Sequence, residues 1–156
     1  MTGRDLQRSR VYAWEDRVVA PRDPSRIPRA AAQGMVDAIW SEMGLRYPPV
    51  VMPLPAQARC RLADADRLTI RLPASVPSWC LLHELSHAMT TTHDGVSDGH
   101  GPAFVGIYVQ LLVRYLRLDD AALRRDLAAS GIALRDDARA VFVDDQNTAV
   151  DARAES

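Results

Sequence analysis

Lysine is absent from this chain of 156 residues: arginine supplies all 19 basic side chains, against 20 acidic ones, for a formal net charge of -1. That balance gives no broad cationic field for nucleic acid or an anionic membrane surface, so neither is expected as a partner. Cysteine occurs only at Cys60 and Cys80, too far apart for a CxxC pair, which excludes a cysteine zinc knuckle and a dithiol redox motif. No apolar run approaches the length of a membrane-spanning helix. The opening residues Met1-Thr2-Gly3-Arg4-Asp5-Leu6-Gln7-Arg8 lack the apolar stretch of a secretory leader, so a cytoplasmic protein with reduced thiols is the expectation. With 47% apolar and 25% charged residues, what remains is the profile of a globular protein, of a length for one domain. That domain is expected over residues 1–143, with a polar, disordered tail at 144–156.

Hydrophobic spacing assigns the elements. Residues 1–28 are polar and broken by Pro21, Pro24 and Pro28. Within them Val11-Tyr12-Ala13-Trp14 reads as a short strand or a helix turn. Arg4, Arg8, Arg10 and Arg17 read as a solvated face balanced by Asp5, Glu15 and Asp16, in preference to a basic patch. From Arg29 to Met43, apolar residues at Ala32, Met35, Val36, Ile39, Trp40 and Met43 predict a helix, with Gly44 as its stop. After Pro48-Pro49, Val50-Val51-Met52 reads as an edge strand. Residues Ala58–Leu62 and Arg67–Leu72 alternate and predict a hairpin turning at Asp64-Ala65-Asp66. Leu68, Ile70 and Leu72 should face the core, and Arg67, Thr69 and Arg71 the solvent. A helix capped by Ser75 or Ser78 should run to about Thr90, and a second, very apolar one from Pro102 to about Leu118. A third, capped by Asp119 or Asp120, should close at Gly131. Val141-Phe142-Val143 returns as a strand or packs on the core.

The chemistry is concentrated in one place. All four histidines, His83, His87, His93 and His100, fall between positions 83 and 100. The first two belong to His83-Glu84-Leu85-Ser86-His87, an HExxH motif. Residues four apart on a helix share a face, so both imidazoles can reach one metal ion, with Glu84 beside them as a base rather than a ligand. Neutral imidazole suits zinc. A catalytic zinc takes three protein ligands, leaves the fourth position to water and lowers the pKa of that water to about 7. Glu84 would take the proton as water attacks a carbonyl and pass it to the leaving amine.

The third ligand has two candidates. The run from His83 to His93-Asp94 resembles the metzincin signature HExxHxxGxxHD, but Thr90 stands where that family has glycine. Every methionine also lies upstream of His93, so the metzincin methionine turn is missing. The other candidate is His100, in His100-Gly101-Pro102-Ala103-Phe104, where Gly101 and Pro102 suit a helix entrance and would hold the imidazole rigidly. HExxH followed by HGxxF resembles the SprT-like zinc metallopeptidases and related minimal zincins. The wider pattern, with Arg4-Asp5-x-Gln7-Arg8-x-x-Val11-Tyr12 ahead of a hairpin, resembles a family of small actinobacterial metallohydrolases over about residues 4–135. The resemblance implies an α+β, minimal zincin-like domain: a small, mainly antiparallel sheet packed on the HExxH helix and a backing helix. It further implies Zn2+ as cofactor, His83, His87 and His100 as ligands, Glu84 as catalytic base and a peptide or protein as substrate. The separate zinc ribbon with which SprT-like proteases bind DNA is not matched by any cysteines here.

Other residues have plainer expectations. His93 should be a surface residue. Asp98 is a candidate to orient a ligand imidazole, although an aspartate beside Gly99 also suits simple turn chemistry. Tyr108, Tyr115 and Trp79 read as core aromatics, and Cys80 as a small buried hydrophobe. Two further functions stay open on the sequence: hydrolysis of another amide by the same motif, and a non-catalytic module that keeps zinc for stability or regulation. Glu84 speaks against the latter, because a structural site fills all four positions with protein.

Overall fold

A computed structural model describes residues 5–55 and 63–142. Arg4, Cys60, the proposed strand Ala58–Leu62, Val143 and the tail 144–156 lie outside the described residues. The architecture is α+β, with five α-helices and two small sheets among the described residues.

The order begins with α1 (Arg8–Trp14), which runs into a π-helical turn, Glu15–Val19, and a 3-10 turn, Ala20–Arg22. Val11, Trp14, Glu15, Val18 and Val19 are buried along this segment. The expected solvated face is therefore corrected at Glu15, which points inward as part of the same stripe. β1 (Arg26–Pro28) precedes α2 (Arg29–Glu42), which buries Ala32, Val36, Ile39 and Trp40 as its spacing predicts and stops at Gly44 with φ of 76°.

β2 (Val50–Pro53) is indeed an edge strand, parallel to β4 (Thr69–Leu72). On its outer side Gln33 of α2 accepts from the Val51 amide at 2.7 Å and donates to the Pro49 carbonyl at 3.0 Å, so α2 closes that edge. Asp64–Ala65 is not a turn but β3, paired antiparallel with Arg71 and Ile70. The turn sits two residues later, because the Asp66 carboxylate accepts from the Leu68 and Thr69 amides at 2.9 and 2.8 Å. Ile70 and Leu72 are buried as expected, but Leu68 is 56% exposed and Arg67 only 2%. Arg67 turns back into the core because its guanidinium lies over the Phe142 and Trp40 rings, at 4.3 and 4.8 Å, and donates to the Arg46 and Tyr47 carbonyls.

The sheet is split rather than single. Pro73 interrupts the chain after β4, and β5 (Ser75–Pro77) pairs antiparallel with β1. That pairing also corrects the expected cap. Ser75 is taken into a strand, Pro77 occupies the cap position, and the Ser78 amide donates to the Ser25 carbonyl instead.

α3 (Ser78–Met89) follows, and every residue of it except His87 is buried. Strands β3, β4 and β5 pack on one side and α4 (Pro102–Leu116) on another. Asp119 caps α5 (Asp120–Ala129) by accepting from the Ala122 amide, and Gly131 closes it with φ of 68°. The chain then returns across α4 so closely that a Cβ on Gly106 would stand 2.2 Å from the Arg135 carbonyl oxygen. Phe142 ends the described chain packed on Trp40.

Candidate metal centre

Central burial of α3 fixes the HExxH side chains. His83 and Glu84 are each about 95% buried, at 4% and 5% exposure, while His87 is partly open. The helix ends at Thr90, whose hydroxyl donates back to the Ser86 carbonyl. A loop carries the chain to Gly99, with φ of 65°, and delivers His100 at the entrance of α4. There the Asp98 carboxylate accepts from the Ala103 amide at 2.7 Å. Asp98 therefore anchors the start of α4 and does not orient a ligand.

The three imidazoles converge. Nε2 of His87 lies 3.2 Å from Nε2 of His83 and 3.2 Å from Nε2 of His100, and the last two are 3.4 Å apart. A tetrahedral ion holding nitrogens at about 2.0–2.1 Å would space them by about 3.3 Å. Phe104 wedges against the cluster, with its ring 4.3 Å from that of His87 and 4.9 Å from that of His83. His83, His87 and His100 thus form a group able to hold a metal ion. His93 is exposed on the intervening loop and takes no part, as expected for a surface residue.

Two carboxylates from the amino-terminal segment complete the arrangement. Glu15 Oε2 accepts from His83 Nδ1 at 2.6 Å and also from the Tyr108 hydroxyl at 2.7 Å. Asp5 Oδ2 accepts from His100 Nδ1 at 2.7 Å and from the His100 amide at 3.2 Å. Gln7 adds a bond to the His100 carbonyl at 2.9 Å. With each Nδ1 proton donated outward, the Nε2 atoms of His83 and His100 present lone pairs to one another. His87 has a single N–H to offer between them. Such a triangle leaves lone pairs facing, which a cation at its centre resolves.

The electrostatics agree with that fit. Burial first, then the closeness of the His83 and His100 imidazoles, disfavours a proton on His87 and holds it well below the ordinary histidine range, so its ring is neutral and ready to ligate. Burial, and behind it Glu15, pushes the Tyr108 hydroxyl well up, so it remains a donor to Glu15. Burial, followed by the charges of Glu15 and Asp64, raises the Glu84 carboxyl to about 8. Its Oε2 is buried with no hydrogen-bond partner among the described residues. A divalent cation at the neighbouring triangle would favour the ionised form of this otherwise costly group.

The imidazoles and Glu84 open onto a cleft of about 320 Å3, walled also by Tyr12, Arg8 and β3. Tyr12 stacks on His83 at 5.9 Å and meets the edge of His100 at 5.0 Å. Tyr108 and Trp79 are buried as core aromatics and Cys80 as a small apolar residue; Tyr115 is only half-buried, its hydroxyl donating to Glu42.

Glu15 and Asp5 are the site residues that the sequence reading missed. For Glu15 a signal existed: an acid at the centre of the stripe Val11, Trp14, Glu15, Val18, Val19 is a charge spaced for the core. Asp5 carries no comparable local mark. No family model matches the chain, and neither the curated proteins nor the solved structures include a match to it.

Proposed function

We propose that the protein is a zinc-dependent hydrolase, most simply a metallopeptidase of the SprT-like, minimal zincin kind, that cuts a peptide or protein substrate. The observation that carries this reading is the juxtaposition of three convergent imidazole nitrogens with a buried carboxylate oxygen on Glu84 that has no partner among the described residues. A purely structural zinc site has no use for that carboxylate and fills its fourth position with protein.

His83, His87 and His100 would hold the ion, and zinc there would supply a Lewis acid that activates water and polarises a carbonyl. Glu84 accepts the proton of the attacking water and returns it to the leaving amine, one group serving as base and then as acid. Glu15 and Asp5 hold His83 and His100 in the tautomer that presents Nε2. Among the described residues β3 is the outer strand of its sheet on the cleft side, where an extended peptide can lie along it. β2, the edge suggested by the sequence, is closed by Gln33.

Glu84→Gln tests the assignment. Metal content should be unchanged while hydrolysis of a peptide library falls by about a hundredfold or more. Undiminished hydrolysis would remove Glu84 from the reaction, and loss of the metal would make it a ligand.

A further inference from the structure

We propose that Arg8 determines substrate specificity at this cleft, selecting substrates that carry a carboxylate within about two to three residues of the scissile bond. The inference rests on the hydrolase reading above and names its substrate class.

The cleft wall is mostly committed. Asp5 is held by His100, and Asp64 by Arg71 at 2.6 Å. His83 and His100 point their Nδ1 atoms away at carboxylates. Arg8 differs. It is exposed, lines the same cleft, spends part of its donor fork on the Tyr12 hydroxyl and makes no ion pair among the described residues. Its guanidinium stands 5.7 Å from the centre of the Tyr12 ring, whose own centre is 5.0 Å from that of His100. Arg8 is thus two ring contacts out from the imidazole triangle, a separation that about two to three extended residues span.

Tyr12 gives Arg8 a fixed platform. The phenol ring is itself pinned against two of the three imidazoles, so the cation above it keeps its place relative to the reacting centre. A guanidinium offers a planar fork of donors that matches a carboxylate with two parallel bonds. The carboxylate can come from a free chain terminus or from an aspartate or glutamate side chain.

The experiment compares zinc-loaded protein on matched synthetic peptides: free acid against carboxy-terminal amide, and internal Glu against Gln near the cut. At least one carboxylate-bearing series should be cut with about tenfold higher kcat/KM, the difference lying in KM. The series that shows it identifies the source of the carboxylate. Arg8→Ala should bring that ratio to near one, and Arg8→Lys should keep part of it. Equal rates for acid and amide, and for Glu and Gln, in the natural protein would overturn the inference. So would a preference that survives Arg8→Ala.

Should no peptide be cut at all, the hydrolase reading fails, and Arg8 is then decided by binding. Cobalt-loaded protein is titrated with succinate and with succinamate and followed by its visible spectrum. Tighter binding of succinate that disappears in Arg8→Ala upholds the carboxylate site; equal affinities overturn it.

Discussion

Glu15 accepts hydrogen bonds from His83 Nδ1 at 2.6 Å and from the Tyr108 hydroxyl at 2.7 Å, while it is itself only 1% exposed. A carboxylate so deep in the core is retained at a cost unless something fixes its charge. A histidine whose other nitrogen faces a metal does so. Glu15→Gln keeps the shape and one acceptor but removes the charge, and should weaken metal binding by about ten- to a hundredfold. Tyr108→Phe should act in the same direction and more weakly, because Glu15 keeps its bond to His83. Competition with a chromophoric chelator measures both; unchanged affinity in Glu15→Gln would show that the carboxylate serves packing alone.

The second carboxylate is wedged in place by a glycine. A Cβ on Gly99 would stand 2.6 Å from Asp5 Oδ2, whereas one on Gly95 would meet nothing within 4 Å. Both glycines have positive φ, 65° and 83°, so alanine at either should cost about 1 kcal/mol in backbone strain. Only Gly99→Ala should also displace Asp5 from His100 and lower metal affinity, by about tenfold. Urea denaturation together with zinc titration separates the two effects. Equal zinc affinity in the two variants would contradict the role given to Asp5.

Removal of the metal should destabilise the whole domain rather than the loop alone, because the ligands come from the most buried helix and from the entrance of its neighbour. At zinc a hundredfold above its dissociation constant, the bound ion contributes about 2.7 kcal/mol. For a chain of this length, chelation should then lower Tm by about 5–10 °C. A melting curve that does not move with chelator would show that the triangle holds no ion in solution.

Reading the sequence went furthest where structure is local. The stripe of α2, the Asp119 cap, the stop at Gly131 and the start of α4 at Pro102 all depend on neighbours within a few residues. The histidine cluster was legible for the same reason, since HExxH needs only helical spacing and His100 lies one short loop away. Glu15 and Asp5 reach His83 and His100 across 68 and 95 residues, and no local rule brings them there. The misplaced hairpin turn has a different cause. Asp64 and Asp66 are equally good turn formers on paper, and the choice fell to Asp66 once Arg67 could enter the core against Trp40 and Phe142. That contact too is invisible to a window of a few residues.

The most direct test of the account is the metal content of the natural protein beside His93→Ala and His100→Ala, purified identically and measured by elemental analysis. About one zinc per chain is expected in the natural protein and in His93→Ala, and less than about a tenth of that in His100→Ala. Zinc retained in full by His100→Ala, or lost from His93→Ala, would contradict the site described.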